Sequence, residues 1–208
     1  MEEEEFSFST RQKIYLPFKR LMDIVFSLIA ILLLLPFMGI IAIIVWVDTK
    51  GFPIFRQRRI GKNNKEFLIL KFRSMNKATP SDIPTHLLEN PDRYITRFGR
   101  FIRRTSIDEL PQLFNIFVGH MSFIGPRPAL WSQKDLIEGR NEKCVSYIRP
   151  GLSGYAQCHG RDEVSIIEKI DLDTYYLKNF SFFLDIKIFF SSIINAIKEK
   201  NVVEGKQS

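Results

Sequence analysis

The longest apolar stretch of the chain lies near its N-terminus. From Ile24 to Val47 there are 24 residues without a charge, bounded by Asp23 and Asp48. About 20 apolar residues suffice to cross the hydrocarbon core of a bilayer as a helix. The pattern therefore predicts a membrane helix. The acidic run Glu2–Glu5 that precedes it is unlike the basic start of a cleavable signal peptide.

Pro36 lies in the middle of this stretch, where it removes a backbone donor and kinks a helix. Both flanks are basic, with Arg11, Lys13, Lys19 and Arg20 before the stretch and Lys50, Arg56, Arg58, Arg59 and Lys62 after it. Because such flanks stay in the cytoplasm, a helix that bends at Pro36 and returns keeps both on one side. Each arm of about 12 residues would be roughly 18 Å long, enough for one leaflet. A kinked helix that spans the membrane is the alternative, since such helices tolerate proline.

Two short strands are predicted after the membrane segment, Pro53–Gln57 and Glu66–Phe72, joined by a Gly-Lys-Asn-Asn turn. Between Lys50 and Arg73 this hairpin region carries eight basic residues against one acid. Residues 76–92, rich in Pro, Ser, Thr and Asp, predict a loop of a length that is often functional.

Two later segments have the periodicity of amphipathic helices. The first has a basic face and an apolar stripe, formed by Arg93, Arg97, Arg100 and Arg104 and by Tyr94, Phe98, Phe101 and Ile102. The second has an apolar and a polar face, formed by Phe182, Ile186, Phe189, Ile193 and Ile197 and by Lys187, Ser191, Asn195 and Lys198. The basic face is either solvated or meets phosphate or lipid headgroups. The apolar face of the second helix is core, a dimer surface or a membrane-surface face.

The charge balance suits anionic partners. Thirty Lys and Arg against 23 Asp and Glu give a net charge of +7, which favours phosphates, anionic lipids or nucleic acid. Nucleic acid is disfavoured, because no recognition-helix or aromatic-platform motif accompanies the charge. Cys144 and Cys158 have no metal-site spacing and predict two reduced thiols. No P-loop and no dinucleotide fingerprint is present.

Candidate chemistry follows the basic helix. A further helix is predicted to begin there, with Ser106 and Glu109 as a capping box, or with Asp108 as the cap and Pro111 in the first turn. Either way Asp108 and Glu109 lie at the positive end of a helix dipole shortly after Arg103, which favours ionised carboxylates and attracts phosphate. A carboxylate held with a divalent cation can attack phosphorus, and Mg²⁺ neutralises diphosphate oxygens. A plain helix cap is the alternative.

Two segments further along supply candidate phosphate ligands. Arg127 stands between two prolines, which would preorganise its guanidinium to clamp a phosphate with two hydrogen bonds. Arg149 and Arg161 enclose a segment with three glycines. Those glycines would let the backbone approach a ligand closely, or else would form a tight surface turn.

Taken together and in this order, these motifs resemble the bacterial sugar transferases, specifically the monotopic phosphoglycosyl transferases that begin glycan assembly on polyprenyl phosphate. The resemblance covers about Lys19 to Asn201. It rests on Lys19-Arg20-x-x-Asp23, Lys71–Met75, Ser106–Asn115, Met121–Pro128, Arg149–Arg161 and Asp173-x-Tyr175-Tyr176.

The resemblance implies an enzyme on the cytoplasmic face of the bacterial inner membrane. It would transfer a sugar-1-phosphate from a UDP-sugar to polyprenyl (undecaprenyl) phosphate. Asp108 would attack the β-phosphate, carry the phosphosugar covalently and release UMP, and Glu109 would bind Mg²⁺ together with Asp108. Arg127, Arg103 and Lys71 would be grouped around this centre. A catalytically inactive, membrane-anchored scaffold for glycan-assembly enzymes is the alternative function.

The resemblance also implies an α+β fold that is mainly helical, with a small β-hairpin and amphipathic interfacial helices. The expected organisation is a tail at 1–18, a re-entrant membrane helix at 19–50, one compact cytoplasmic catalytic domain at 51–201 and a tail at 202–208. Pro36 matches the family's helix-kinking proline, but Leu35 stands where the family commonly has a serine that could bond to backbone carbonyls. The short N-terminus resembles the small, minimal form of the family. The sugar, the pathway and the oligomeric state, a homodimer included, stay open.

Overall fold

The computed structural model describes residues 6–76, 94–159 and 164–204, with side chains through residue 195. This part of the chain is mainly helical and contains two sheets of two strands each. The helices are α1 (Thr10–Thr49), α2 (Arg97–Arg104), α3 (Gln112–Val118), α4 (Lys134–Glu142), α5 (Tyr155–Cys158), α6 (Ile166–Asn179) and α7 (Phe182–Glu204). The strands are β1 (Ile54–Ile60), β2 (Glu66–Phe72), β3 (Ser122–Ile124) and β4 (Gly151–Ser153). The predicted mainly helical fold with a small β-hairpin is confirmed, whereas the second sheet was not predicted.

By packing, the chain divides into two compact units, each with its own core. The first unit comprises Met1–Phe26, Arg59–Phe67 and Ile116–Ser208, and the second comprises Ser27–Arg58 and Leu68–Asn115. Buried side chains of the first core are Ile124, Val145, Ile148, Tyr176, Leu177, Phe180 and Ile188. Those of the second core are Met38, Ile41, Val45, Phe72 and Ile102. The domain limits expected from the sequence stay predictions.

Helix α1 contains the predicted membrane segment and continues through Pro36 as one helix of 40 residues. It is long and apolar enough to cross a membrane. Met38 and Val45 lie on the side that packs into the second core, whereas Leu33 and Val47 are 74% and 69% exposed. An apolar surface of this extent is stable in lipid and unfavourable in water. This supports the membrane helix, while its return at Pro36 stays a prediction.

The predicted hairpin is present. Its first strand, β1, continues past Gln57 to Ile60, and a 3₁₀ turn at Lys62–Asn64 leads to β2. Asn63 and Asn64 have φ angles of 54° and 59°, in the left-handed region that asparagine tolerates better than most residues. The turn is closed by the Gly61 N–H, which donates to the Lys65 carbonyl at 2.9 Å.

Strands β3 and β4 form a short parallel sheet in the first unit, with Ser122 opposite Gly151. The sheet needs its glycines. A Cβ at Gly151 would lie 2.1 Å from the Gly125 nitrogen, and one at Gly154 would lie 2.3 Å from the Gly125 oxygen. These glycines therefore let two stretches of backbone touch each other, a use that neither sequence-based interpretation predicted. Gly160 lies outside the described residues.

Helix α7 buries Asp185 and Ile188, whereas most of its large apolar side chains face outward. Asp185 is 6% exposed, whereas Phe183 and Phe190 are 82% and 58% exposed. The predicted apolar stripe is exposed as well: Phe182 39%, Ile186 38%, Phe189 48% and Ile193 43%. Of the three alternatives for this stripe, core is therefore wrong, and such a face requires an apolar partner or a membrane surface.

The buried end of α7 is held by a polar network within the first unit. The Asp185 carboxylate accepts hydrogen bonds from the Tyr15 and Tyr176 hydroxyls, at 2.8 and 2.7 Å, and pairs with the Lys19 ammonium. Burial, and next the charge of Asp185, raises the pKa of both tyrosines, so they stay protonated donors. The start of α1 and the start of α7 are thereby joined through one carboxylate.

Candidate active site

Asp108 and Glu109 lie in a 3₁₀ turn, Ile107–Glu109, that precedes α3. Ser106 has a φ of 57° and makes no side-chain cap bond. The predicted capping box is wrong, because a capping side chain needs an extended backbone and Ser106 is left-handed. The alternative cap at Asp108 is also wrong, since α3 begins four residues later, at Gln112.

Each carboxylate of the pair lies near a base in the second unit. The Lys71 Nζ donates to Glu109 Oε1 at 2.6 Å, with side-chain exposures of 17% and 20%. Arg103 lies close enough to Asp108 for the two charges to interact: burial lowers the pKa of Arg103, and the Asp108 carboxylate raises it. Asp108 is itself buried. The second unit thus brings together four of the predicted site residues, two acidic and two basic.

Ser74 positions Arg103. The Arg103 Nε donates to the Ser74 Oγ at 2.6 Å. The Thr96 N–H donates to the Ser74 carbonyl at 3.2 Å, and a Cβ at Gly99 would lie only 2.0 Å from that oxygen. Helix α2, which carries Arg103, therefore packs directly against the backbone of Ser74. The motif Lys71–Met75 contained Ser74, but its spacing gave no sign of this role.

Asn115 positions the strand that carries Lys71. Its Oδ1 accepts from the Leu70 N–H at 2.9 Å, and its Nδ2 donates to the Leu68 carbonyl at 2.8 Å. The amide thereby occupies the place of a neighbouring strand along β2, and it is buried. Because Asn115 lies in α3, directly after the turn of Asp108, it fixes β2 against the segment that carries the acidic pair. The sequence motif included Asn115 without indicating this function.

The remaining predicted ligands belong to the first unit or lie outside the described residues. Arg127 is exposed, and its carbonyl accepts from Arg140 Nη1 at 2.9 Å. Arg140 in turn pairs with the buried Asp173 at 2.6 and 3.0 Å, so the backbone that presents Arg127 is anchored. Arg149 donates from Nε to the Gly119 carbonyl at 2.9 Å. Arg161 lies outside the described residues.

The acidic pair has the donor chemistry that Mg²⁺ uses beside phosphates. Mg²⁺ is commonly bound by one or two carboxylates, with waters and substrate phosphates completing its octahedral shell. Asp108 and Glu109 supply two adjacent carboxylates, and Glu109 forms a salt bridge with Lys71. In the part of the chain that the structure describes, no cluster of three or more His, Cys, Asp or Glu side chains offers a fuller protein-only metal site.

Comparison with known proteins identifies the family. Residues 14–199 match the model of the bacterial sugar transferases. The chain belongs to the bacterial sugar transferase family. It is 40% identical over 190 residues to the UDP-N-acetylgalactosamine-undecaprenyl-phosphate N-acetylgalactosaminephosphotransferase of Aeromonas hydrophila, which covers 86% of this chain and 44% of the relative.

Two further members of the family show the range of lengths. The UDP-glucose:undecaprenyl-phosphate glucose-1-phosphate transferase of Klebsiella pneumoniae is 38% identical over 193 residues, 88% of this chain and 41% of the relative. The exopolysaccharide production protein PSS of Rhizobium leguminosarum bv. phaseoli is 35% identical over 191 residues, 86% of this chain and 94% of the relative. The chain therefore spans about two fifths of the length of the first two transferases and nearly all of the third protein.

Proposed function

We propose that this bacterial sugar transferase moves a sugar-1-phosphate from a UDP-sugar to undecaprenyl phosphate, with Asp108 as the nucleophile. The proposal is carried by the acidic pair, which lies beside Lys71 and Arg103 in one compact unit. Family membership supports it, and relatives that share 38–40% of their aligned residues with this chain are named for this reaction on UDP-N-acetylgalactosamine or UDP-glucose.

The proposed reaction has two displacements at the same phosphorus. In the first, a carboxylate oxygen of Asp108 bonds to the β-phosphorus of the UDP-sugar, and the bond from that phosphorus to the bridging oxygen breaks. The electron pair leaves with UMP, and the enzyme holds an acyl phosphate that carries the sugar. In the second, an oxygen of undecaprenyl phosphate bonds to that phosphorus and the Asp108 carboxylate departs. Charge balances at each step without a redox partner.

The neighbours of the pair have separate tasks in this proposal. Arg103, held by Ser74, places a positive charge beside Asp108 and would face the charge that builds up on the phosphoryl oxygens. Lys71 orients Glu109. Asp108 and Glu109 would hold Mg²⁺, which supplies neutralisation of the diphosphate oxygens when it is bound. Arg127 belongs to the first unit, where it is exposed on an anchored backbone, and its role as a phosphate ligand stays a prediction from the sequence.

Release of UMP from UDP-sugars tests the assignment. We expect Asp108→Asn to abolish release by the detergent-solubilised chain, because an amide oxygen is a far weaker nucleophile than a carboxylate. Glu109→Gln is expected to raise the Mg²⁺ concentration that is needed for half-maximal UMP release. The exposed Asp135 in α4 provides the matched control, Asp135→Asn. UMP release by Asp108→Asn equal to that of the control would exclude Asp108 as the nucleophile. An unchanged Mg²⁺ dependence of UMP release in Glu109→Gln would exclude Glu109 as a Mg²⁺ ligand.

The same assay, run over a panel of UDP-sugars, addresses the substrate. The relatives are named for N-acetylgalactosamine, glucose and galactose, so a hexose or N-acetylhexosamine donor is the proposed class. UMP release with one such donor and none with the others would assign the sugar. Release with none of them, under conditions in which a related transferase is active, would argue against the transferase and for the scaffold alternative.

We also propose that α1 is re-entrant and that the chemistry takes place at the cytoplasmic face of the inner membrane. The exposed apolar surface of α1 and its basic flanks support this topology. Single cysteines placed before Asp23 and after Asp48, in a chain with Cys144 and Cys158 replaced by serine, are expected to be labelled from the same side. Labelling from opposite sides would instead establish a spanning helix.

A further inference from the structure

A basic recess lies in the first unit, formed by the start of α1, the turn after β1 and the segment that leads into β4. Its charged lining consists of Lys19, Arg20, Lys62, Arg149 and Asp23. Four bases and one acid thus surround one recess. Lys19 is already neutralised by Asp185, and Asp23 accepts from the Ser122 hydroxyl and the Phe123 N–H. The Asp23 carboxylate also offsets part of the charge of Arg20, so most of the uncompensated positive charge belongs to Lys62 and Arg149.

Arg20 and Arg149 meet at Gly119. The Nη2 of Arg20 lies 3.0 Å from the place where a Cβ of Gly119 would be, and the Nε of Arg149 donates to the Gly119 carbonyl. Arg20 also donates to the Ile116 and Phe117 carbonyls, at 2.7 Å each. Both guanidiniums therefore bind the carbonyl end of α3, which accounts for their position.

The contacts with the carbonyl end of α3 leave several N–H donors of the recess unused. A guanidinium has five N–H groups, and Arg149 uses only its Nε in the described part of the chain. The Lys62 ammonium makes no hydrogen bond and no ion pair with any described residue, although Lys62 lines the recess. Its three N–H groups and the two Nη groups of Arg149 are therefore available to one ligand.

The close approach of these cations is unfavourable without an anion. Burial, and next the charge of Arg149, lowers the pKa of Lys62. The same two causes lower the pKa of Arg20, against the opposing charge of Asp23. Repulsion between like charges in a partly desolvated recess opposes folding, and a bound anion would remove it. Helix capping explains two arginines, but it does not explain why a lysine from the hairpin turn joins them.

We propose that Arg20, Lys62 and Arg149 bind a phosphate group in this recess. The chemistry of the ligand is that of a phosphate monoester or diester, which the planar fork of arginine and the ammonium of lysine both recognise. Two sources supply such a group: a free phosphate compound in solution and the headgroup of an anionic lipid. The site requires no transferase activity, so its test is independent of Asp108 and of UMP release.

Lys62→Gln is the decisive variant, because it breaks no side-chain hydrogen bond or ion pair within the described part of the chain and leaves the backbone of the turn unchanged. Lys65→Gln is the matched control: it removes the same charge from the same turn, outside the recess. Both variants and the parent chain would be purified in a maltoside detergent, which carries no phosphate. One arm measures the rise in melting temperature with inorganic phosphate against chloride at equal ionic strength. The other counts phosphatidylglycerol molecules retained in native mass spectrometry.

The proposal predicts that, in at least one arm, Lys62→Gln binds about tenfold more weakly than the parent chain, as expected for loss of a charge-assisted hydrogen bond. Lys65→Gln should bind as the parent does. An effect confined to phosphate identifies a soluble ligand, and one confined to phosphatidylglycerol identifies a lipid headgroup. If Lys62→Gln and Lys65→Gln bind equally in both arms, the attraction is a diffuse surface charge and the proposed site is refuted.

Discussion

Asn115 offers a test of how the site is held in place, because a single amide joins β2 to α3. Asn115→Ala removes both hydrogen bonds and leaves the Leu70 N–H and the Leu68 carbonyl without this partner. An unsatisfied polar group costs about 1–3 kcal/mol, and both bonds are only partly buried, so about 1–2 kcal/mol each applies. The expected loss is therefore about 2–4 kcal/mol.

For a chain of this size, each kcal/mol lowers the melting temperature by about 2–4 °C. Asn115→Ala should therefore melt roughly 5–15 °C below the parent. Asn115→Asp tests the same geometry more finely, because it retains the acceptor for the Leu70 N–H but turns a carboxylate oxygen toward the Leu68 carbonyl. Since β2 carries Lys71, both variants should also lower the rate of UMP release at temperatures where they remain folded.

The assay is thermal unfolding in detergent, followed by UMP release at a temperature well below the melting point of the variant. The exposed Asn141 of α4 provides the control, Asn141→Ala, which should leave both quantities unchanged. If Asn115→Ala melts within a degree of Asn141→Ala and turns over as fast, the amide does not hold β2. The reasoning about the positioning of Lys71 would then fail.

Two further predictions concern backbone contact and buried tyrosines. Gly99→Ala should destabilise the chain by about 1–3 kcal/mol and slow UMP release, because its Cβ would overlap the Ser74 carbonyl. Gly39→Ala, whose Cβ meets nothing within 4 Å, should be neutral or slightly stabilising in the same melting experiment. The raised pKa values of Tyr15 and Tyr176 mean that the folded chain keeps protons that the unfolded chain loses near pH 10. Stability should be full below that pH and fall above it by about 1.4 kcal/mol per pH unit for each tyrosine. Tyr176→Phe should flatten this alkaline decline in melting temperature, and an equal decline in parent and variant would contradict the assignment.

Local patterns predicted the elements whose causes are local. The uncharged stretch before Asp48 predicted α1, and the alternation of residues around the asparagine turn predicted the hairpin. These features depend on hydrophobic spacing and on turn chemistry, and both are determined by residues that are close together in the sequence. The cap at Ser106 was wrong for the same reason: the residue type favoured a cap, but the left-handed backbone that decides the matter is set by the surrounding packing.

Features that depend on distant segments could not be predicted from the pattern. The apolar stripe of α7 indicates an amphipathic helix, but only the packed structure shows that Asp185 and Ile188 face inward and that the stripe is exposed. The recess of Lys62 and Arg149 joins residues far apart along the chain. The roles of Ser74 and Asn115 likewise consist of contacts with other elements, so their motifs could mark them without explaining them.

The most direct test of the proposed chemistry is the mass of the intact chain after incubation with a UDP-sugar and Mg²⁺ in the absence of lipid acceptor. The reaction with Asp108 predicts a mass increase equal to one phosphosugar, absent from Asp108→Asn and present in Asp135→Asn. Undecaprenyl phosphate should then remove the adduct from the parent chain. A parent chain that releases UMP but never gains this mass, or an Asp108→Asn chain that gains it, would contradict the proposal that Asp108 carries the phosphosugar.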